Sequence, residues 1–253
     1  MAQSIERAVE LMYQASDHPL SLGDASEILG VHKSTALRIL QTLEARRFVR
    51  RTTAGQYVLG GGLIELAQRA LGSLDLRKYA AGPLRRIQQQ TGHTVHLAQL
   101  MDDEVIYVDK LDSPSLDTIQ IQSRIGRPVS LYASGVGKTI VAFRSPEERS
   151  RLLYNVDLVQ HTATTLATRE ALETEFAAIR ERGWGTDDGE LFEFVNCLAV
   201  PVRHSGGDVI AALSVTTVKR ITPLSALQEH LPLLLEAARD LSVELGYEAP
   251  VGA

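Results

Sequence analysis

Two groups of apolar residues at helical spacing, separated by a single glycine, mark the N-terminal part of the chain. The first group comprises Leu22, Ala25, Ile28 and Leu29. The second group comprises Ala36, Leu37, Leu40 and Leu43. Residues with this spacing share one face of an α-helix, and Gly30 between the groups supplies the permissive backbone that a sharp turn requires. The pattern predicts two short amphipathic helices, the second beginning at about His32, joined by a tight turn.

The second of these helices carries polar side chains on the face opposite its apolar residues. These are His32, Lys33, Ser34, Thr35, Arg38, Gln41 and Thr42. A helix that is apolar on one side and carries short donors and cations on the other fits the major groove of DNA. The pair is therefore typical of a helix-turn-helix, although two amphipathic helices around a glycine also occur in proteins that bind no DNA.

The flanking segments favour the DNA-binding interpretation. A further helical stripe upstream predicts a supporting helix, and its members are Ile5, Ala8, Val9 and Met12. Downstream, the segments 46–51 and 56–59 have the pattern of strands on either side of a turn that contains Gly55. Three helices followed by a small hairpin are the order of a winged helix-turn-helix.

Positive charge is concentrated in the same region. Residues 31–60 hold six Lys or Arg and one Asp or Glu, whereas the whole chain has a formal net charge of −5. Such a local excess indicates a surface for DNA phosphates. In the hairpin, the residues expected to contact DNA are Arg50, Arg51, Gln56 and Tyr57, with Arg46 and Arg47 beside them. The arginines could also be a merely solvated face, but next to a recognition helix contacts with phosphates are favoured.

Length and composition narrow the class of protein. A chain of 253 residues suits two domains, and 44% hydrophobic and 23% charged residues are ordinary for a soluble protein. No apolar run approaches the ~18 residues of a membrane span, and the N-terminus has no apolar signal core. The single Cys197 excludes an internal disulfide and a multi-cysteine zinc site. We expect a cytoplasmic protein with no membrane partner, metal or cofactor.

A domain boundary is predicted after the hairpin. Three glycines at 60–62 interrupt the pattern, and the apolar residues between Leu63 and Leu71 predict a linker helix. The predicted organisation is a DNA-binding domain over residues 1–60, a linker helix over 61–74 and a second domain over 75–249.

The second domain alternates between helical and strand patterns, which predicts an α+β fold. The helices are expected over 76–91, from Ser134, over 168–182 and from Pro223. Proline is expected to break or bend two of them, at Gly82–Pro83 and at Pro232. Strands are expected over 94–100, 105–111, 118–123, 128–131, 195–202 and 208–218.

Several blocks of the chain, in order, resemble the IclR family of bacterial transcriptional regulators. They are SIERAVELM, SEILGVHKSTALRILQTLEARRFVRR, QYVLGGGLIEL, TGHTVHLAQLMDDEVIYVDKLDSP, IGRPVSLYASGVGKTIVAF and VNCLAVPV. The resemblance covers Ser4 to Gly246. It implies a winged helix-turn-helix, a linker helix and a C-terminal, GAF-like α/β domain that binds an effector. It further implies a homodimer, often paired into a tetramer on operator DNA, that acts as a repressor or activator of catabolic genes.

The resemblance also implies an effector site in the second domain. The site residues carried over from the family are Ile121, Ser134, Gly135, Val136, Asp187, Cys197, Ser214 and Thr216. Two physical arguments agree with them. Ser214 and Thr216 lie two apart on one strand and so share a face, and a helix that begins at Ser134 aims free N–H groups and a positive dipole end at a ligand. A small carboxylate is the expected effector, although Asp187 would repel it unless the Asp187 carboxyl is protonated or binds a hydroxyl.

Other motifs carry weaker alternatives. Gly137-Lys138-Thr139 resembles the end of a phosphate-binding loop, but position 132, where the first glycine is required, is Tyr132. His93 and His96 could bind a metal ion together. They are three residues apart near the start of a strand, however, so their side chains should diverge and serve structural roles instead.

An enzyme is the alternative function. Such an enzyme would use Cys197 or Asp187, and the N-terminal unit would serve only for oligomerisation. The sequence offers no set of nucleophile, base and orienting residue, and no basic residue lies near Cys197 to activate its thiol. A regulator without catalytic activity is therefore the expectation.

Overall fold

The computed structural model describes residues 2–72, 75–114 and 123–248. The chain divides into two compact units, Met1–Leu74 and Asp75–Ala253, and each has a hydrophobic core of its own. Within the described ranges, no helix is both long enough and apolar enough to cross a membrane.

The first unit is a winged helix-turn-helix, as predicted. Its elements are α1 (Ala2–Asp17), α2 (Leu22–Ile28), α3 (Lys33–Ala45), β1 (Val49–Arg51), β2 (Tyr57–Leu59) and α4 (Gly61–Gly72). Its core is built from Leu11, Ala15, Leu20, Ala25, Ala36, Leu40, Leu43, Val49 and Tyr57. The expected linker helix corresponds to α4 and falls within this unit.

Local bonds fix the ends of α2. Ser21 and Asp24 form a capping box, in which each side chain accepts a hydrogen bond from the backbone N–H of the other residue. At the other end, Gly30 has φ +58°, a left-handed conformation that favours glycine. The Val31 N–H donates to the Ser26 carbonyl and closes the turn. The chain therefore leaves α2 at a defined angle and enters α3.

The apolar stripe predicted for α1 is partly wrong. Ile5 and Val9 are 68% and 39% exposed, whereas Leu11 is fully buried and Ala15 nearly so. Because α1 has apolar residues on two faces, spacing alone does not tell which of the two faces the core. Packing against α3 and β2 selects the face that includes Leu11.

The second unit is a five-stranded antiparallel sheet with helices on both faces. Its helices are α5 (Asp75–Thr91), α6 (Gly135–Ala142), α7 (Pro146–Leu152), α8 (Arg169–Arg182), α9 (Leu224–Leu227) and α10 (Leu231–Glu244). Its strands are β3 (Thr94–Met101), β4 (Glu104–Leu111), β5 (Gly185–Asp188), β6 (Val195–Arg203) and β7 (Val209–Val218). The strand order is β4-β3-β7-β6-β5, so the two predicted hairpins, β3–β4 and β6–β7, lie side by side.

Alternation along the strands divides the core into two layers. On β6, Cys197 and Ala199 face the side covered by α6 and α8. Leu198 and Val200 therefore face the opposite side, where α5 and α10 pack against the sheet and against each other. Helix α6 is buried along its whole length, which places its N-terminus in the interior of the unit.

The structure tests the predictions that concern proline and short strands. Helix α5 runs unbroken through Pro83, contrary to the prediction, since the carbonyl that loses its partner belongs to Tyr79, a partly exposed residue that solvent can reach. The helix expected from Pro223 is broken next to Pro232, as predicted. It divides into α9 and α10 around a 3₁₀ turn at Gln228–His230, and Pro232 lies in the first turn of α10, where a missing N–H has no cost.

The strand expected over 128–131 is reduced to a single bridge between Pro128 and Ile106. The strand expected over 118–123 lies outside the described residues except for Ser123.

Candidate functional site

Helix α3 presents a continuous polar face to solvent. Every polar position predicted on it is exposed, namely His32, Lys33, Ser34, Thr35, Arg38, Gln41 and Thr42. His32 is the N-cap but makes no side-chain cap bond. Thr42 donates its hydroxyl to the Arg38 carbonyl at 2.8 Å. This bond uses the Thr42 proton within α3, which leaves Lys33, Ser34, Thr35 and Arg38 as the side chains best able to reach a ligand.

Helix α1 adds a second wall beside this face. Ser4 and Arg7 of α1, together with Thr35, Arg38 and Thr42 of α3, line a groove of about 280 Å³. Arg7 is not among the DNA-binding residues predicted from the sequence. The charges along α1 are mixed, and only the packing of α1 on α3 brings Arg7 next to the polar face of α3. The groove brings two arginines to one surface.

The wing is a two-stranded hairpin with basic side chains outside. Arg50 and Arg51 on β1 are exposed and pair with Val58 and Tyr57 on β2. The Arg51 side chain donates to the Gly55 carbonyl at 3.3 Å and lies 5.8 Å from the centre of the Tyr57 ring. The wing therefore holds Arg51 against its own turn, whereas Arg50 is exposed to solvent.

The structure corrects the prediction that Tyr57 contacts DNA. Its side chain is only 3% exposed and belongs to the core of the first unit. Its backbone pairs with Leu20 in both directions, at 2.7 and 2.9 Å. Tyr57 joins the wing to the segment before α2, and Gln56, which is half-buried, remains the only residue of the predicted Gln56–Tyr57 pair within reach of solvent.

In the second unit, the N-terminus of α6 lies against strands β5 and β6. Ser134 is the N-cap, and its hydroxyl accepts from the Gly137 N–H at 3.1 Å and donates to the Ser130 carbonyl at 2.6 Å. A Cβ on Gly135 would lie 2.8 Å from the Cys197 sulfur. Glycine at this position lets the helix start approach Cys197 closely, and the Gly135 and Val136 amides have no acceptor among the described residues.

Facing α6, the sheet presents two rows of side chains, most of which are polar. One row runs Asp187, Cys197, Thr216 and Thr94 across β5, β6, β7 and β3. The next row runs Ala199, Ser214, His96 and Lys110 across β6, β7, β3 and β4. Residues opposite each other in register share a face. The structure thus brings together Ser134, Gly135, Val136, Asp187, Cys197, Ser214 and Thr216.

Ile121 is the exception among the predicted effector residues. It lies outside the residues that the structure describes, so its expected role as an apolar wall stays a prediction.

Asp187 lies buried at one end of the first row. Its carboxylate accepts from the Glu190 N–H at 2.6 Å. Burial raises the pKa of Asp187 to about 7, with a further upward contribution from Glu190, against the lowering effect of Lys138 and of backbone N–H groups. Near neutral pH the Asp187 carboxyl is therefore close to half protonated, which eases the repulsion expected between it and an anionic ligand.

Cys197 has the properties of a packing and contact residue. Burial raises the pKa of its thiol to about 12, helped by the nearby Asp187 carboxylate. The Thr216 and Ser214 hydroxyls act in the opposite direction and lower the pKa of the thiol. A thiol with this pKa stays protonated at neutral pH and is a weak nucleophile.

The sequence prediction missed a buried ion pair behind the site. The Lys138 ammonium lies 2.5 Å from both carboxylate oxygens of Glu190, and the two side chains are 1% and 8% exposed. Lys138 therefore binds a carboxylate of its own chain, which argues against the phosphate-loop alternative. No cluster of three or more His, Cys, Asp or Glu side chains suited to a metal occurs within residues 2–72, 75–114 and 123–248.

Comparison with known families matches nearly the whole chain. Residues 4–53 match the family model described as the IclR helix-turn-helix domain. Residues 68–243 match the model described as the C-terminal domain of the bacterial transcriptional regulator IclR.

Individual relatives agree with the family match. The HTH-type transcriptional regulator XynR of Escherichia coli K12 is 35% identical over 250 residues, which cover 98% of this chain and 98% of XynR. The DNA-binding transcriptional repressor YiaJ of the same organism is 32% identical over 252 residues, covering 97% of this chain and 89% of YiaJ.

Solved structures give the same result. The Thermotoga maritima IclR structure superposes with a TM-score of 0.85 at 30% identity, covering 98% of this chain and 100% of that one. An IclR homologue from Microbacterium hydrocarbonoxydans, solved in complex with 4-hydroxybenzoate, superposes with a TM-score of 0.81 at 26% identity. That match covers 96% of this chain and 98% of the homologue.

Proposed function

The chain belongs to the IclR family of bacterial transcriptional regulators, and we propose that it represses its target genes until a small carboxylate binds its second unit. The observation that carries this proposal is that one chain contains both features: an exposed polar face on α3 beside a basic wing, and a buried polar site at the N-terminus of α6. The relative named as a repressor, YiaJ, supports the sign of regulation.

In this proposal, α3 lies in the major groove of operator DNA. Lys33, Ser34, Thr35 and Arg38 would contact bases, because they are exposed on the face opposite the core. Arg50, Arg51 and Gln56 of the wing, together with His32 at the start of α3, would contact the phosphate backbone. The phosphate contacts set affinity and its dependence on salt, whereas α3 sets the sequence that is bound.

Replacing Arg38 by alanine is expected to weaken specific operator binding by about 1–3 kcal/mol, because a base-reading arginine makes a bidentate contact with guanine. Fluorescence anisotropy on labelled operator DNA measures the change. Arg220→Ala is a matched control, since Arg220 is exposed in the second unit, and it should bind as tightly as wild type. Equal affinities of Arg38→Ala and wild type would remove Arg38 from the recognition surface.

The effector would bind between α6 and the sheet. Its carboxylate would accept from the Gly135 and Val136 amides, where the helix dipole also favours negative charge. Ser214, Thr216 and Cys197 would contact the rest of the molecule, and Asp187 would bind a hydroxyl or carry a proton. The 4-hydroxybenzoate complex of the Microbacterium homologue supports a carboxylate ligand.

Affinity for a carboxylate effector is expected to rise by up to about tenfold in total as the pH falls from about 8 to about 6, and to level off at lower pH. The pKa of Asp187 is raised to about 7, and a bound anion favours its protonated form further. Binding therefore takes up a proton and strengthens at lower pH. His96 and Cys197, with pKa values of about 3 and about 12, do not titrate in this range.

Isothermal titration in buffers of different ionisation enthalpy counts the proton directly. Asp187→Asn, which keeps the shape without the charge, should bind the effector with no proton uptake and no pH dependence. The same pH slope in wild type and Asp187→Asn would assign the dependence to another group.

Three further features complete the proposal. The protein would act as a homodimer, or as a pair of dimers, so that two α3 helices meet successive turns of the operator. It would have no catalytic activity, since the Cys197 thiol stays protonated and the nearby Asp187 carboxylate raises its pKa further. It would reside in the cytoplasm, where its DNA is. Effector binding would change operator affinity by favouring one of two conformations of the dimer.

A further inference from the structure

His96 lies in the middle of the sheet face that α6 covers, although the sequence assigned it only a structural role. It is 1% exposed and stands directly opposite Ser214 in the pairing of β3 with β7. Its ring lies 4.8 Å from the centre of the Tyr107 ring. A polar side chain buried this completely, among the residues of the effector site, calls for partners on both ring nitrogens.

Both nitrogens have such partners, and one of them belongs to the effector site. Nε2 of His96 lies 2.7 Å from the Ser123 hydroxyl, and Nδ1 lies 3.3 Å from the Thr216 hydroxyl. Thr216 in turn stands opposite Cys197 in the pairing of β7 with β6, and its hydroxyl lowers the pKa of the Cys197 thiol. Hydrogen bonds therefore link Ser123, His96 and Thr216, and Thr216 is next to Cys197, which lies beneath Gly135 at the start of α6.

The imidazole of His96 is itself uncharged. Burial lowers the pKa of His96 to about 3, and the nearby Lys110 lowers it further, so the imidazole is neutral at physiological pH. The Lys110 ammonium is itself 2.7 Å from the Asp112 carboxylate. A neutral imidazole has one donor and one acceptor nitrogen, so one tautomer accepts the Thr216 proton and the other donates a proton to the Thr216 oxygen.

We propose that His96 is a positioning residue of the effector site, which orients the Thr216 hydroxyl and thereby selects a carboxylate that carries a hydroxyl group away from α6. With one tautomer Thr216 presents lone pairs to the ligand, and with the other it presents a proton. A hydroxyl group can pair with either, because it both donates and accepts. A methyl group pairs with neither. A second carboxylate only accepts, so it pairs with one tautomer alone and loses hydration on burial.

The sheet geometry sets the spacing within the ligand. Neighbouring strands lie about 4.8 Å apart, so Thr216 on β7 lies about that far across the sheet from Cys197 on β6, which is beneath the α6 N-terminus. An unbranched acid with the hydroxyl on its fourth carbon spans about this distance, and one with the hydroxyl on its sixth carbon is longer by two carbon–carbon bonds. The inference rests on the proposed function, since it names the class of effector for the same site.

Two sets of three acids of matched length test the assignment. The first set is 4-hydroxybutyrate, butyrate and succinate, and the second is 6-hydroxyhexanoate, hexanoate and adipate. Isothermal titration with the full chain measures each affinity. In the set whose length fits, wild type should bind the hydroxy acid about tenfold more tightly than the methyl-terminated acid, as one hydrogen bond to a buried partner gives, and more tightly than the diacid.

Variants separate positioning from a structural role. His96→Leu should bring the ratio of the hydroxy and methyl acids to about one while leaving the affinity of the methyl acid within about twofold. His96→Asn, whose amide offers both a donor and an acceptor, should restore part of the ratio. Thr216→Val should lose the same ratio, and adding His96→Leu to it should cause no further loss, because His96 acts through Thr216. If His96→Leu fails to fold, Thr216→Val and His96→Asn still report the ratio.

The failure of this assignment can be told from failure of the proposed function. Equal wild-type affinities for the hydroxy and methyl acids in both sets, or a ratio unchanged in His96→Leu, would overturn the role of His96 and leave a carboxylate effector intact. If none of the six acids binds wild type, the assignment falls, and operator binding by the same preparation then tests whether the chain is a regulator.

Discussion

Replacing Lys138 by methionine is expected to lower the free energy of unfolding of the second unit by about 3–5 kcal/mol. The Lys138 ammonium is 1% exposed and lies 2.5 Å from the Glu190 carboxylate. Methionine fills a similar volume but leaves Glu190 buried without its counter-ion. The cost comes mainly from that unpaired charge, which is why removing one partner of a buried pair is more harmful than removing both.

Two further measurements distinguish this cause from simple loss of packing. The double variant Lys138→Met/Glu190→Leu should recover most of the lost stability. In Lys138→Met the pKa of Glu190, already raised by burial, rises further, so stability should be highest below the ordinary glutamate pKa of 4.5 and fall as the pH increases. Urea unfolding followed by Trp184, the single tryptophan of the chain and a residue of the second unit, reports this transition. The ion-pair explanation would be contradicted if neither the double variant nor low pH restored the free energy of unfolding lost in Lys138→Met.

Replacing Leu40 by alanine is expected to destabilise the first unit by about 2–5 kcal/mol, the usual cost of such a truncation in a well-packed core. Leu40 is fully buried on α3, among Leu11, Leu20 and Leu43. The unit is small, so this loss is a large share of its stability. We expect specific DNA binding to be lost at physiological temperature, because α3 no longer holds its polar face in place.

The second unit should be unaffected by this change. Trp184 fluorescence and effector binding should match wild type, whereas the helical signal in circular dichroism should show an early melting transition. Leu59→Ala is the matched control, since Leu59 is 37% exposed in the wing of the same unit, and its cost should stay below about 1 kcal/mol. Parallel loss of DNA and effector binding in Leu40→Ala would contradict the separation into two units.

Local patterns were sufficient for most of the elements. The spacing of Leu22, Ala25, Ala36, Leu40 and Leu43 predicted α2 and α3, because each of these helices has a single apolar face. The helix expected over 168–182 corresponds to α8, with Thr168 as its N-cap and Gly183, at φ +83°, as its C-cap. The paired strands β6 and β7 could be predicted because long apolar runs flank a glycine turn.

The predictions from sequence were wrong where a residue's conformation or burial depends on neighbours that are close in space but distant in sequence. Pro83 is tolerated within α5 because the freed carbonyl is near solvent, which only the fold reveals. Tyr57 is in a basic hairpin, but its ring fills the core of the first unit. The roles of individual residues in binding DNA or the effector depend on ligands that are not part of the chain. These roles therefore stay predictions.

Contacts between distant residues could not be predicted at all. Lys138 and Glu190 are 52 residues apart, and His96 and Thr216 are 120 apart. Spacing along one strand placed Ser214 beside Thr216, but the register between β3 and β7 is what places His96 next to both. The sequence therefore suggested the strand residues of the effector site and missed the side chains that orient them.

The most direct test of the regulator is fluorescence anisotropy on DNA selected by the full chain from a random-sequence pool, repeated with each of the six acids. We expect selection to enrich one sequence with two symmetric half-sites, tight binding at moderate salt that Arg38→Ala weakens, and a change in affinity when one acid is added. Failure to enrich any sequence, with equal binding to unrelated DNA, would contradict a sequence-specific regulator. Enrichment without a response to any carboxylate would contradict the proposed effector.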